Sequence, residues 1–271
     1  MGGRKRTWEA ISFEVVMTAV ALIALIVIIA PSLVVLIVSF TNGFSLKFPP
    51  PGYSARWYAE LWNAWQLHFA AKNSFVVAMW STGLSVVLGV AAALAIARSP
   101  TLSARLLDSL FMSPLVLPAL AFGLSALMLF SLVGLPVSPL TLIIGHTVVC
   151  VPYVVRNTVA ALAQLETTLL ESSAILGASR FYTFRRIVFP LIRPGVIAGA
   201  FIAFMSSFDN VPVSLFLRDA ATDMLPIRMW QDLEGKLDVT IAALSGVLII
   251  ATVALMAIME RVTGLSKRLT S

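Results

Sequence analysis

Long stretches without a charged residue constrain the fold of this chain more than any other feature of its sequence. Residues 15–46, 73–97 and 109–155 contain no Asp, Glu, Lys or Arg. A helix needs about 20 apolar residues to cross a hydrocarbon layer of about 30 Å. Charged residues make up only 12% of the chain and the mean hydropathy is +0.95, which excludes a water-soluble globule. We therefore predict an all-α membrane protein.

The gaps between charges predict six transmembrane helices, because a charge at the centre of a lipid-facing helix costs about 2.5–3.5 kcal/mol. The longest gap holds two of them, since the turn-forming stretch 134–139 divides it. The first is too long for the core of a cleaved signal peptide, which has about 7–15 residues. The predicted helices cover residues 15–40, 73–97, 109–133, 140–162, 187–217 and 239–259, in a single transmembrane domain over 1–271.

The distribution of positive charge predicts the orientation of these helices. Most of the 19 Lys and Arg residues fall in the segments on one side of the membrane. Cytoplasmic loops carry such an excess, so both termini are predicted to lie in the cytoplasm. The net charge of +6 therefore reflects topology, and no nucleic-acid partner is predicted. Cys150 is the only cysteine and the two histidines are far apart in sequence, so no metal site is predicted.

A longer cytoplasmic segment, residues 163–186, separates the fourth and fifth predicted helices and carries helical signals of its own. Its stretch 168–171, Thr-Leu-Leu-Glu, matches a capping box and predicts that a helix begins at the threonine. Gly177 is placed to end that helix. Ser179 is placed to cap a second short helix that ends at Pro190. We therefore predict a pair of helices on the inner face of the membrane.

The same segment carries a recognisable spacing. It reads Glu-Ser-Ser at 171–173, then Gly177 after three residues, then Ile-Val-Phe-Pro at 187–190 after nine more. This spacing resembles the EAA motif (Glu-Ala-Ala, Gly, Ile-x-Leu-Pro) of the inner-membrane permease subunits of binding-protein-dependent ABC importers with the type I fold. Serine replaces both alanines, and phenylalanine replaces the leucine. The resemblance implies that these helices form a coupling pair between helices 4 and 5.

Two further stretches resemble the spermidine/putrescine branch of that family. They are residues 206–214, Ser-Ser-Phe-Asp-Asn-Val-Pro-Val-Ser, and residues 225–230, Leu-Pro-Ile-Arg-Met-Trp. Asn210 stands where that branch has a second Asp. The resemblance implies a permease subunit that forms half of the translocation path for a small solute, of the polyamine class or similar.

The resemblance also implies partners that supply the energy and the solute. The sequence contains no Gly-x-x-x-x-Gly-Lys-Ser/Thr phosphate-binding loop. The chain is therefore expected to be a transport subunit without catalytic residues or cofactors, with ATP and Mg²⁺ bound by two separate ATP-binding subunits. A second permease subunit, identical or homologous, a periplasmic or extracellular solute-binding protein and the lipid bilayer complete the expected partners. Asp219, Asp223 and Asp232 are candidates for docking the binding protein. The implied location is the bacterial inner (plasma) membrane.

Within the family, the coupling helices dock into a groove of the ATPase. The candidate coupling residues are Leu170, Glu171, Ser172, Ser173, Ala174, Gly177, Ala178 and Pro190. Among them Leu170, Ala174, Gly177 and Ala178 are expected to form the docking face. Glu171 either fixes the start of the helix or contacts a basic residue of the ATPase. The arginines at 180–193 serve as topology determinants or as ATPase contacts.

Asp209 is the only acidic residue inside a predicted span, and such a charge needs a water-filled cavity or a partner. The candidate translocation-path residues are Ser206, Ser207, Phe208, Asp209 and Asn210. For a cationic solute, the carboxylate supplies attraction and Phe208 supplies a cation–π face. The alternative is a structural role, in which Asp209 pairs with Arg218 or with a partner subunit.

Two other classes of function stay open at this point. An ATP-independent secondary transporter or channel subunit also uses intramembrane polar groups and broken helices, although it has no need of a cytoplasmic helix pair. A membrane-embedded enzyme would need a nucleophile such as Ser125 beside a base such as His146. Small residues at such positions more often allow close helix packing, and a histidine there is more often a buried polar contact.

Overall fold

The computed structural model describes residues 8–97, 101–219, 221–236 and 239–263, and these residues are mainly helical. The helices are α1 (Trp8–Ser39), α2 (Arg56–Asn63), α3 (Trp65–Ala97), α4 (Leu102–Val116), α5 (Ala119–Leu132), α6 (Pro139–Ala163), α7 (Thr167–Ile175), α8 (Arg180–Thr183), α9 (Phe189–Phe208), α10 (Val211–Leu217), α11 (Leu225–Lys236) and α12 (Thr240–Thr263). A π-helical turn, Phe184–Val188, joins α8 to α9. The predicted all-α membrane fold is confirmed.

The described residues form two compact units. One contains those up to Ala64 together with Asp232–Val253, and the other contains Trp65–Gln231 together with those from Ala254 onward. The single domain predicted over residues 1–271 stays a prediction. So does the cytoplasmic position of both termini, because residues 1–7 and 264–271 lie outside the described residues.

Five helical segments in the described ranges are long and apolar enough to cross a membrane, and the bent pair α4–α5 brings the number to six if it counts as one span. The helices extend beyond several predicted bounds: α1 begins at Trp8 and α3 at Trp65. The reason is that the gaps between charges mark only the part of a helix in the hydrocarbon, whereas a helix continues into the interface.

The prediction of one helix over residues 109–133 is wrong. The chain forms α4 and α5 instead, with a bend of 107° between them. Leu117 is extended, with φ −72° and ψ 140°, because the following Pro118 disfavours the helical conformation before it. Residues 109–133, on both sides of the bend, carry no charge, so the pattern of charges does not reveal it.

The predicted helix over residues 187–217 is also broken. The helical run from Arg180 ends at Phe208, and the chain becomes helical again as α10. Pro212 lies in the first turn of α10, where its missing N–H is tolerated, but it could not continue the hydrogen bonds of α9. Asn210 caps α10 by accepting a hydrogen bond from the Val213 N–H at 2.9 Å. We call residues 209–210 the helix break.

Small residues let α9 approach α6 closely. Gly195, Gly199, Ala203 and Ser207 recur at every fourth position of α9. A Cβ atom on Gly195 would lie 2.8 Å from the carbonyl oxygen of Asn157 on α6. In a bilayer such stripes drive helix association through close packing, because lipid supplies little hydrophobic driving force between helices.

Serine hydroxyls on α3 form hydrogen bonds with α6. On α3, Ser81 Oγ donates to the Ile143 carbonyl oxygen at 3.2 Å and Ser85 Oγ donates to that of Thr147 at 3.3 Å. Both of these serine hydroxyls thus have partners, as apolar surroundings require. The helix α6 therefore contacts both α3 and α9.

In the smaller unit, the segment after α1 folds around an arginine. The Arg56 guanidinium lies 4.1 Å from the centre of the Phe44 ring and donates to the Gly43 carbonyl oxygen at 3.0 Å. The Tyr58 hydroxyl lies 2.8 Å from Ser39 Oγ. These contacts attach α2 to the end of α1.

Candidate coupling and translocation sites

The helices α7 and α8 form the predicted pair between the fourth and fifth spans. Ser179 caps α8 as predicted, because its side chain accepts a hydrogen bond from the Tyr182 N–H at 3.3 Å. The predicted capping box at 168–171 is wrong. The helix α7 already begins at Thr167, its N-cap Glu166 makes no side-chain cap, and the Thr168 hydroxyl donates to the Glu166 carboxylate at 3.4 Å. Glu171 is exposed and has no capping role.

Gly177 ends α7 in a left-handed conformation, with φ +75°. The Ala178 N–H donates to the Ser173 carbonyl oxygen at 3.1 Å, and the Gly177 N–H donates to that of Ala174 at 3.0 Å. This pair of bonds is the Schellman motif, which requires the positive φ that glycine adopts without strain. The turn between α7 and α8 is therefore fixed by the backbone of one residue.

The two helices are also joined through their side chains. Ser173 is buried, and its hydroxyl lies 2.7 Å from that of Thr183 on α8. Serine stands here in place of the second alanine of the EAA pattern, and the hydroxyl pair satisfies the polar group that this replacement introduces. The sequence offers no signal for the pair, because its members belong to different helices.

The candidate coupling residues separate into a packed set and an exposed set. Leu170 packs against the buried cluster of Val188, Ile192 and Val196. Glu171, Ser172, Ala174 and Gly177 are exposed, and Ala178 is half-buried. The expected docking face is therefore not continuous, because Leu170 faces the chain's own core.

The most exposed apolar side chains of the helix pair are not among the coupling residues predicted from the sequence. Ile175 and Leu176 are each 85% exposed and Phe181 is 71% exposed. A groove of about 620 Å³ lies beside them and includes Leu176, Tyr182 and Ile187 in its lining. Consecutive apolar residues before a helix-ending glycine, in an otherwise polar loop, were the signal that could have identified this surface.

The second helix of the pair does not end at Pro190, contrary to the prediction. The chain continues through the π-helical turn, in which the Phe189 N–H donates to the Phe184 carbonyl oxygen. Pro190 then occupies the first turn of α9. An inserted π turn moves the proline to a position where no N–H is needed. The coupling pair is therefore continuous with a membrane-spanning helix.

The candidate path residues at the helix break differ in their exposure. Asp209 is exposed, and Ser206, Phe208 and Asn210 are half-buried. The Phe208 ring stacks on Phe204, with centroids 5.9 Å apart. Ser207 is fully buried. The break therefore presents an exposed carboxylate directly after Phe208 in the chain, while Ser207 is buried in the interior.

Ser207 belongs to a buried cluster around His146. The imidazole Nδ1 lies 2.8 Å from Ser207 Oγ, and Nε2 lies 3.0 Å from Ser214 Oγ. Both ring nitrogens thus have serine partners on either side of the helix break, and neither partner is Ser125. His146 is thus a buried polar contact, the interpretation that the sequence favoured over a base for an enzyme.

Arg218 does not pair with Asp209. Its guanidinium contacts the Asp223 carboxylate at 3.1 Å, and Arg228 approaches the same carboxylate at 3.9 Å. The Asp219 carboxylate accepts hydrogen bonds from the backbone N–H groups of the turn that follows it. Two of the three acids considered for docking the binding protein thus have structural partners in this loop.

Comparison with known proteins extends these observations. A family model described as "Binding-protein-dependent transport system inner membrane component" matches residues 85–268. The chain is 28% identical over 212 residues to the spermidine/putrescine transport system permease protein PotC of Haemophilus influenzae, covering 78% of this chain and 82% of that protein. It is 29% identical over 223 residues to the putrescine transport system permease protein PotI of Escherichia coli K12, covering 80% and 79%.

A solved structure shares the fold. It is a bacterial alginate ABC transporter in complex with an alginate pentasaccharide-bound periplasmic protein, with a TM-score of 0.69, 17% sequence identity, and coverage of 98% of this chain and 99% of that chain. The family match spans more than half of the sequence. The chain therefore belongs to the binding-protein-dependent transport system inner membrane components and is a multi-pass permease subunit of an ABC importer, homologous to spermidine/putrescine permeases.

Proposed function

We propose that this chain forms half of the translocation path for a small organic cation of the polyamine class, and that ATP hydrolysis on separate subunits drives the transport. The observation that carries the proposal is the exposed helix pair α7–α8, whose second helix is continuous with the span that ends at Phe208, next to Asp209. A movement imposed on the pair would reach the helix break through one helical run.

The helix pair is the proposed docking site for an ATP-binding subunit, with one such subunit for each of two permease chains. The coupling residues proposed from the EAA resemblance are supplemented by Ile175, Leu176 and Phe181. These side chains form an exposed apolar surface next to a rigid turn. Burial of exposed apolar area supplies much of the driving force for association between proteins. ATP and Mg²⁺ would be held by the ATPase alone.

The helix break is the proposed contact with the solute. Asp209 supplies a carboxylate, and the stacked rings of Phe204 and Phe208 supply aromatic faces. A carboxylate and an aromatic ring together favour an ammonium group over neutral or anionic solutes. The names of PotC and PotI support the same class of solute. A second permease chain, identical or homologous, would complete the path, and a solute-binding protein would deliver the cation from the outer side.

Co-purification and reconstitution test this proposal. The tagged chain should bring down an ATPase and, where the pair is heteromeric, a second permease. Proteoliposomes containing the complex and its binding protein should accumulate putrescine or spermidine only when ATP is hydrolysed. Uptake that continues without ATP, or with an ion gradient alone, would favour the secondary transporter or channel instead.

An Asp209 variant tests the solute contact separately. We expect Asp209→Asn to lower the uptake rate of putrescine about tenfold, because a charge-assisted contact is lost. The matched control is Glu60→Gln on α2, which removes the charge of an exposed carboxylate outside the candidate path and outside the candidate docking acids. Equal uptake and equal substrate-stimulated ATPase in both variants would rule out the contact at Asp209.

A further inference from the structure

The buried imidazole of His146 contacts both α9 and α10, the helices on either side of the helix break. Ser207 lies in the last turn of α9, before the helix break, and Ser214 lies in α10, after it. His146 contacts the hydroxyls of both, at 2.8 and 3.0 Å. All three residues have no exposed surface. One side chain on α6 therefore bridges the two halves of a broken span.

Buried polar groups at membrane depth are costly unless they are paired, so this arrangement carries an energetic preference for one geometry. A serine hydroxyl can donate or accept, and an imidazole nitrogen can do either according to its tautomer. Both hydrogen bonds are therefore formed whichever nitrogen carries the proton. Separating either helix from His146 would leave a buried hydroxyl and a ring nitrogen without partners.

Close packing holds α10 at the same place. A Cβ atom on Gly145 would overlap the Leu217 side chain, and one on Gly123 of α5 would lie 2.8 Å from the Pro212 carbonyl oxygen. The helix α10 is thus seated between α5 and α6. The chain between the two serines contains Asp209 and Asn210, so the positions of its ends determine where those residues stand.

We propose that His146 is a positioning residue for the translocation path: by holding Ser207 and Ser214 together across the helix break, it sets the position from which Asp209 and Asn210 meet the solute. The inference rests on the proposed function for the role of Asp209. It assigns His146 no contact with the solute, because the imidazole is fully buried.

Variants with an amide side chain at position 146 test the two contacts of the imidazole one at a time. An asparagine at 146 places a polar atom near the position of Nδ1 and would keep the contact with Ser207. A glutamine places one near the position of Nε2 and would keep the contact with Ser214. His146→Ala removes both. We expect each amide variant to transport better than His146→Ala and less well than the original chain.

The experiment measures the geometry of the break together with transport. Spin labels at Ile202→Cys on α9 and Leu215→Cys on α10 report the distance across the break, and labels at Ile202→Cys and Val148→Cys on α6 report a distance that does not cross it. Each of these side chains is at least 39% exposed, and Cys150 is fully buried, so the labels should attach where intended. The complete transporter is used, in lipid nanodiscs for distances and in proteoliposomes for putrescine uptake.

We expect His146→Ala to broaden the distance distribution between labels at 202 and 215 and to leave that between 202 and 148 unchanged. Uptake should fall roughly tenfold, as for the loss of hydrogen bonds of ordinary net strength. Adding Ser207→Ala and Ser214→Ala to His146→Ala should lower uptake no further. The matched control is Cys150→Ala, which removes the contact of Cys150 Sγ with the Ala203 carbonyl oxygen at 3.3 Å between α6 and α9 but touches neither side of the break.

An unchanged distance distribution across the break in His146→Ala would overturn the proposal, whatever happens to uptake, because His146 would then contribute packing alone. If His146→Ala does not fold, the amide variants decide the matter by the same distances. The distances do not depend on ATP-driven uptake. A transporter that moves no polyamine would therefore refute the proposed function while the distances still judge the role of His146.

Discussion

Gly177 has the backbone conformation least tolerant of substitution in the coupling pair. Its φ of +75° costs a residue with a Cβ atom about 1–2 kcal/mol, although a Cβ there would meet no atom within 4 Å. We expect Gly177→Ala to destabilise the Schellman turn by about that amount and to lower the recovery of the ATPase with the permease. Co-purification and uptake measure the effect.

The control at the same position is Gly177→Asn, since asparagine adopts the left-handed conformation more readily than alanine does. If strain is the cause, the asparagine variant should recover more ATPase than the alanine variant. If the asparagine variant, which has the larger side chain, recovers no more ATPase than the alanine variant, obstruction of the approaching ATPase and not backbone strain is the cause.

At the scale of the helices, the stripe of small residues on α9 determines how closely it packs on α6. Gly195→Ala would place a methyl group 2.6 Å from Ala161 Cβ and 2.8 Å from the Asn157 carbonyl oxygen. Backbone cannot yield as a flexible side chain does, so we expect a net destabilisation of about 1–3 kcal/mol, the usual cost of overpacking. The midpoint of unfolding in detergent of increasing denaturing strength measures it.

Gly83 on α3 provides the comparison, because a Cβ there meets nothing within 4 Å. Gly83→Ala should leave stability unchanged or raise it by up to about 1 kcal/mol through the better helix propensity of alanine. If both variants shift the midpoint in the same direction, close approach at Gly195 is not the reason for its small side chain.

At the scale of the whole molecule, the charge pattern was enough to locate the membrane spans but not the breaks within them. The gap from 109 to 155 predicts two apolar segments whether or not Pro118 bends the first by 107°. A proline does not always interrupt a helix: Pro152 lies inside α6, which continues through it. The outcome at each proline depends on which neighbouring groups satisfy the released carbonyl, and a single sequence does not contain that information.

The contacts at the candidate sites were harder to predict than the helices that carry them. Glycine at 177 and serine at 179 have local signatures, so the turn and the second cap followed from the sequence. The bridge from His146 to Ser207 and Ser214 joins residues 61 and 68 positions apart. It depends on the register in which α6, α9 and α10 pack, which no local pattern encodes.

The orientation of the whole molecule in the membrane can be tested by labelling single cysteines, and the unmodified chain is the control. Cys150 is fully buried, so the unmodified protein should not react with a membrane-impermeant maleimide. Ala174 on α7 and Ala221 in the loop before α11, which is predicted to lie outside, are exposed. With both termini in the cytoplasm, Ala174→Cys should be labelled only in inverted vesicles and Ala221→Cys only in intact spheroplasts, when the chain is produced without its ATPase. The reverse pattern would place α7 and α8 outside, where no ATPase could reach them, and would refute the coupling role together with the predicted topology.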